Sequence, residues 1–254
     1  MTNLTLQDLD PSPWSSTTTT ASGKEQLTFL DPTPSYEESI AAPRPNALQI
    51  LGATFGGVVV TPDIQKLVGD SDRLSLDLRT LNVTLRPDPA PGQLKVLTIL
   101  YRFDDDDPAQ GNDARLMVVA EDAGPASRVI RIDRHMTGQQ QARERAGLRA
   151  GGERYFHGVL ERPWRAGAGG EVDILAVVFG PKRVEEPAVL SVLSNHFEGR
   201  WGQVRMTNGF FGKDPWPYKR KSWTVYFRFV GSQKVQVVTG WEDGALEVPW
   251  SRHA

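Results

Sequence analysis

The stretch KVLTILYRF, residues Lys95–Phe103, decides the fold class, because every second residue in it is large and apolar. This apolar series consists of Leu97, Ile99, Tyr101 and Phe103. An alternation of period two is typical of a β-strand that buries one face and exposes the other. The segment Arg115–Ala120 is also apolar and β-branched, and we expect it to pair with the first strand as a hairpin.

The same strand plan recurs 126 residues later as KSWTVYFRF, residues Lys221–Phe229. Identical pairs at this offset are Asn82 and Asn208, Asp88-Pro89 and Asp214-Pro215, Pro91 and Pro217, Lys95 and Lys221, Thr98 and Thr224, and Arg102-Phe103 and Arg228-Phe229. An offset of 124 residues places Ile50-Leu51 on Ile174-Leu175 and Phe55-Gly56 on Phe179-Gly180. An internal repeat of this length indicates two copies of one structural unit.

The sequence therefore predicts an all-β protein, a tandem β-sandwich of two related antiparallel units with a disordered N-terminal tail. The expected divisions are a tail over residues 1–46, a first unit over 47–133, an Arg/Gly-rich linker over 134–172 and a second unit over 173–254. Patterns of helical period are scarce. We expect one short helix at Asp63–Val68, after Thr61-Pro62, and another at Gln139–Leu148.

The N-terminal tail is rich in proline and hydroxyl residues, with six Pro and fourteen Ser or Thr in residues 1–46. Such a composition cannot bury enough apolar surface to offset the entropy of ordering the chain. Within it, Leu27–Leu30 followed by Pro32 and Tyr36 has the character of a short peptide ligand. An equally supported interpretation is that Phe29 and Leu30 tether the tail to the folded units.

Composition excludes several classes of protein. The chain has 254 residues, a formal net charge of -2 and no cysteine, which excludes disulfide scaffolds, iron–sulfur clusters and thiolate zinc sites. It contains no apolar run long enough for a membrane span and no secretory pattern at its N-terminus, so we expect a cytoplasmic protein. The balanced charge argues against a dedicated nucleic-acid binder.

No motif for a cofactor or a metal is present, and we expect none to be bound. The four histidines, His135, His157, His196 and His253, are far apart in sequence. The acidic run Asp104–Asp107 lacks the alternating ligand spacing of a calcium loop, and it is interpreted as a solvated hairpin tip. Seven arginines between Arg134 and Arg165 make the linker basic, as is common in solvated segments.

Several of these motifs together resemble a known family. In the first unit they are Gly57-Val58-Val59-Val60-Thr61, Asp88-Pro89-Ala90-Pro91-Gly92, Lys95, Leu97, Tyr101 and Phe103. In the second unit they are Asp214-Pro215-Trp216-Pro217, Lys221, Phe227, Phe229 and Leu246-Glu247-Val248-Pro249. Both sets resemble the C-terminal domain of mitochondrial DnaJ-like proteins of subfamily C, a domain of unknown function. The resemblance implies no catalytic residue, and the chain has no His-Pro-Asp motif, so co-chaperone activity is not implied.

The second unit is strongly aromatic, and its aromatic residues divide into two groups. Alternation places Trp223, Phe227 and Phe229 on a buried face. The remaining candidates, expected in loops or at strand ends, are Trp201, Phe210, Phe211, Trp216 and Tyr218. Exposed Trp and Tyr on a rigid β scaffold are typical of binding surfaces. We therefore expect a non-catalytic binding module whose ligand is a protein partner or an apolar or aromatic small molecule.

Two other functions remain open from the sequence. A cofactor-independent cyclase, isomerase or hydrolase would bind an apolar substrate between the β units, and the groups to test are Asp214, His196, Glu242 and Asp243. A lectin-like carbohydrate binder would use the same loop tryptophans. The enzyme needs a closed apolar cavity with a titratable group, whereas a binding module needs an exposed aromatic surface. The sequence does not predict the oligomeric state.

Overall fold

A computed structural model describes residues 48–85, 88–103, 114–123, 129–134, 154–160, 162–167, 169–200 and 202–247. Both repeats belong to one compact unit of the chain. The tail, the acidic run Asp104–Asp107, the expected helix at Gln139–Leu148 and Trp201 lie outside the described residues.

Thirteen strands and three helices make up the described part of the chain. The strands are β1 (Leu48–Phe55), β2 (Val58–Val59), β3 (Leu74–Asp77), β4 (Val96–Phe103), β5 (Arg115–Ala120), β6 (Val129–Ile132), β7 (Tyr155–Val159), β8 (Val172–Phe179), β9 (Lys182–Val184), β10 (Val204–Arg205), β11 (Ser222–Phe229), β12 (Gln236–Trp241) and β13 (Ala245–Leu246). The helices are α1 (Thr61–Lys66), α2 (Leu81–Thr84) and α3 (Pro187–Phe197). The all-β class is confirmed.

Each repeat contributes one main antiparallel sheet with the same strand order. The first sheet runs β2-β1-β4-β5-β7, and the second runs β9-β8-β11-β12. The two sheets also share an irregularity. Each has a register shift at the aligned position of its second strand, β1 or β8. In β1 it lies between Ile50 and Gly52, and in β8 it leaves Leu175 as the extra residue between the partners of Phe227 and Tyr226. The internal repeat is therefore present in the structure as well as in the sequence, and it includes a β-bulge.

Each main sheet packs one of its faces against a helix and a small two-stranded sheet. In the first repeat these elements are α1 and the β3–β6 pair, and in the second they are α3 and the β10–β13 pair. The expected core positions Trp223 and Phe227 are buried, and Phe229 is half-buried against the same cluster. The sequence pattern thus identified the face on which each local core forms.

The opposite faces of the two main sheets pack against each other, which the alternation in β4 did not predict. Thr98 and Leu100 lie on the face expected to be exposed, yet both are buried. Thr98 bonds to Thr54 at 2.7 Å and also to the Tyr226 hydroxyl, and Thr54 bonds to Thr224 at 2.8 Å. The expectation of a half-buried strand was wrong here, because the second repeat covers the polar face of the first.

Helix α3 is the largest element that sequence reasoning missed. It begins with proline at its first turn and buries Val189, Leu190, Leu193 and Phe197 along one side. These positions follow helical spacing, so the signal was present in the sequence. The shorter helix expected at Asp63–Val68 is found as α1 at Thr61–Lys66. No described helix is long and apolar enough to cross a membrane.

Candidate functional site

The candidate site is the loop that leads into β11, residues 212–220, which we call the 212–220 loop. An Asx-type turn shapes its first half, because the Asp214 carboxylate accepts a hydrogen bond of 2.9 Å from the Trp216 backbone N–H. Pro215 and Pro217 restrict the backbone on either side of Trp216. The loop is therefore held in one conformation by local chemistry.

Lys221, at the end of the loop, fastens it to the rest of the second repeat. Its side chain is only 2% exposed, and the ammonium lies 3.0 Å from Asp214 and 3.1 Å from Glu242. It also donates to the carbonyl of Lys219 at 2.7 Å. Glu242 in turn accepts hydrogen bonds from the Asn208 amide and from the Lys221 backbone N–H. A buried ammonium is tolerated because its donors are satisfied in this way.

The same contacts lower the pKa of the Asp214 carboxylate. Burial opposes its ionisation, but the Trp216 N–H and the Lys221 ammonium stabilise the charged form, so the pKa of Asp214 lies below its usual range. Asp214 is thus charged at neutral pH, as the ion pair with Lys221 requires.

The first repeat contains the same cluster around Lys95. Its side chain is likewise 2% exposed, with the ammonium 3.2 Å from Asp88 and 3.8 Å from Glu121. Asn82 donates to Glu121 at 2.7 Å, and the Asp88 carboxylate accepts from Ala90 N–H at 2.9 Å. The cluster therefore explains most of the polar identities between the repeats, and its presence in both copies indicates a structural role.

Two of the aromatic residues expected on a binding surface are buried instead. Trp216 is 3% exposed and belongs to the core cluster that contains Val178 and Tyr226. Phe211 is 4% exposed and stacks on Phe179 with ring centroids 4.1 Å apart. The expectation of an exposed position was wrong for both, because the Asx turn directs Trp216 inward and Phe211 packs into the core of the second repeat. Phe210 is half-buried and packs edge-on against Phe211 at 5.0 Å.

Tyr218 differs from the others, because its side chain is fully exposed to solvent. Its backbone has a φ of 62°, in the left-handed region that non-glycine residues avoid. The repeat offset of 126 residues aligns it with Gly92, which has a φ of 75°. The second repeat thus places an exposed aromatic residue where the first uses glycine, and among the described residues no ring contact compensates for the strained backbone.

The loop is also strongly basic at its surface. Lys213, Lys219 and Arg220 are exposed, and within the described part of the chain no carboxylate forms an ion pair with any of them. The Arg220 guanidinium lies 5.2 Å from the ring centre of Trp241. The aligned positions of the first repeat are Pro87, Gln93 and Leu94, so the first repeat lacks these three charges, although its loop carries one arginine, Arg86.

The residues proposed for catalysis do not come together as one site. Asp214 and Glu242 meet, but both are occupied by Lys221. Asp243 lies in the turn after β12, with a φ of 68°, and its N–H donates to Met206. His196 is buried on α3, where Nδ1 lies 2.8 Å from the Gly202 carbonyl, and it forms no hydrogen bond with any of these acids. Among the described residues, no group of three or more side chains could hold a metal ion.

The chain matches no known family model, no curated protein and no solved structure. The resemblance to the C-terminal domain of DnaJ-like proteins therefore stays a prediction. Sequence reasoning selected Tyr218 but overlooked its basic neighbours. The signal that could have revealed them is the comparison of repeats, in which charge and aromatic character diverge within one loop while its anchoring residues remain identical.

Proposed function

We propose that this chain is a non-catalytic binding module that contacts a negatively charged protein partner through the 212–220 loop. The observation that carries the proposal is the fully exposed Tyr218 at a positive φ, where the first repeat has glycine. A left-handed conformation costs a non-glycine residue about 1–2 kcal/mol. Such strain, retained at an exposed loop position, is typical of a functional residue.

The surroundings of Tyr218 suit protein recognition. A tyrosine presents a large, rigid contact area at low entropic cost, and its hydroxyl can form hydrogen bonds with a partner. Lys213, Lys219 and Arg220 add positive charge that would favour association with an acidic surface. The buried Lys221 anchor keeps the loop preorganised, which reduces the entropy lost on binding.

The binding proposal assigns a structural role to the acids considered for catalysis. Asp214 and Glu242 neutralise a buried ammonium, and the same arrangement occurs in the first repeat, where the exposed aromatic residue is missing. A catalytic role would require these carboxylates to be released from Lys221.

Site-specific cross-linking tests the proposal. A photo-reactive phenylalanine analogue is placed at position 218 and, as a control, at position 83, where an exposed valine lies in the first repeat. We expect the probe at 218, and not at 83, to cross-link one protein in native lysate. The yield should fall when Lys219→Glu is added and when salt is raised, because the interaction is charge-assisted. Equal labelling from both positions would contradict the proposal.

A further inference from the structure

A groove of about 250 Å³ lies at the edge of the second main sheet, away from the 212–220 loop. Its apolar lining residues include Trp164, Leu175, Ala176 and Leu190. Arg162 and Arg183 stand among its lining residues.

The groove exists because the strands that cover this edge of β8 leave a gap. β9 pairs with β8 only as far as Val184, opposite Val177. Trp164 then pairs with Ile174 through two backbone hydrogen bonds of 2.9 Å. Between these two points no strand among the described residues is paired with Leu175 or Ala176 on the side away from β11. At about 3.3 Å per residue, the gap spans roughly 10 Å of sheet edge.

In the first repeat, a side chain of α1 covers the stretch of edge that Trp164 covers in the second. Gln65 accepts a hydrogen bond from the Ile50 N–H at 2.8 Å and donates to the Leu48 carbonyl at 3.4 Å. When the helices are aligned on their N-terminal prolines, Gln65 corresponds to Leu190. At the aligned helix position the second repeat has an apolar side chain, Leu190, which lines the groove.

The charges near the groove favour a singly charged anion. The Arg183 guanidinium forms an ion pair with the Glu185 carboxylate at 3.1 Å and lies 5.5 Å from the ring centre of Phe156. Arg162 is exposed and forms no ion pair with any acid of the described residues. Two guanidinium groups and one carboxylate leave one positive charge, and a guanidinium fork matches the geometry of a carboxylate.

We propose that this groove binds a small organic carboxylate with an apolar body, the apolar part against Leu175, Ala176 and Leu190 and the carboxylate at Arg162 and Arg183. The volume lies below the roughly 300–1,000 Å³ that is typical of sites for drug-sized ligands, so the ligand is small. Glu185 disfavours a doubly charged group at the same position, because it would repel the second negative charge. This site is independent of the proposed protein-binding loop.

Titration of the full chain with octanoate, followed by the backbone amide signals in NMR, tests the proposal. We expect the signals of Leu175 and Ala176 to shift, and octanol, the neutral analogue, to bind at least about tenfold more weakly because it lacks the charge-assisted hydrogen bonds. Octyl phosphate should also bind more weakly than octanoate. Absence of octanoate binding, shifts confined to another region or equal affinity for octanol would each overturn the proposal.

Two variants locate the site. Arg162→Gln should weaken octanoate binding about tenfold. Leu190→Gln, which replaces an apolar lining residue with a polar amide, should also weaken it, because the apolar contact with the ligand is lost. Lys66→Gln, an exposed change in the first repeat, is the control and should bind as the parent does. If Leu190→Gln does not fold, the test of the site rests on Arg162→Gln. Unchanged octanoate affinity in Arg162→Gln would refute the assignment of this groove as the binding site.

Discussion

Lys95 and Lys221, 126 residues apart in sequence, hold the same set of partners in the two repeats. Each ammonium is buried between an aspartate of the Asp-Pro-x-Pro segment and a glutamate after the second strand of a hairpin. Each also lies near the ring of the aligned phenylalanine, Phe55 at 5.8 Å and Phe179 at 5.9 Å. The duplicated lysine therefore joins loop, hairpin and sheet in both units.

The first prediction concerns this anchor. Lys221→Met should destabilise the protein by about 3 kcal/mol, because it leaves two neighbouring carboxylates without their cation. Lys95→Met should have an effect of the same order. Lys66→Met, whose side chain is 76% exposed, is the matched control and should change the free energy of unfolding by less than about 0.5 kcal/mol. Urea denaturation measures all three, and equal effects at positions 66 and 221 would contradict the structural role.

The second prediction follows from the lowered pKa of Asp214. A carboxylate with a lowered pKa in the folded state contributes stability above its unfolded pKa, about 3.9, and this contribution is lost as the pH falls through the folded value. Asp214→Asn removes that contribution. We therefore expect the parent to have a higher Tm than the variant at neutral pH, and the difference to shrink below about pH 4. A constant difference over the whole range would show that Asp214 does not act through its charge.

The third prediction reverses what the sequence suggests for Trp216. Because Trp216 is 3% exposed, Trp216→Ala should cost about 3–5 kcal/mol as a truncation of the core. The same substitution at an exposed position would leave stability almost unchanged. Denaturation of the purified variant distinguishes a buried from an exposed Trp216. A loss of unfolding free energy below about 1 kcal/mol would place Trp216 at the surface.

The fourth prediction separates binding from stability at Tyr218. Tyr218→Gly relieves a left-handed backbone strain of about 1–2 kcal/mol, and part of this gain is offset because glycine loses more entropy on folding. We expect unfolding free energy to stay constant or rise by up to about 1 kcal/mol, while partner binding is lost. Tyr218→Phe should keep most of the binding if the ring dominates the contact. A large loss of stability in the glycine variant would instead show that the Tyr218 ring supports the fold.

Local pattern was sufficient to predict the central strands β4, β5 and β11 and the repeat. The alternation in Lys95–Phe103 identified β4 and the face that holds Leu97, because strand periodicity depends only on neighbouring residues. It did not identify the burial of Thr98, since that depends on a second sheet more than a hundred residues away. The central strands of each unit were thus predictable, whereas α3 was missed and the contact between the units required the structure.

The site was predictable only in part, for the same reason. Asp214 and Lys221 were recognised as repeated residues, but their ion pair was not, because sequence identity does not show which side chains meet. Trp216 was placed on the surface from its position in a loop, and the turn formed by Asp214 reverses that conclusion. Tyr218 was selected for its residue type, and the structure distinguishes it from its aromatic neighbours by its full exposure and its positive φ.

The fifth prediction tests the contact between the two main sheets. A Cβ atom added at Gly52 would lie 2.7 Å from Tyr226 Cε1 and 2.7 Å from Val237 Cγ2, both in the second repeat. Gly52→Ala should therefore force the sheets apart and cost about 1–3 kcal/mol. Gly202→Ala, where nothing lies within 4 Å of the added atom, is the control and should be neutral or slightly stabilising. Because the two variants make the same chemical change, a difference in their unfolding free energies reports the packing of one repeat on the other, and equal values would show that this packing does not hold in solution.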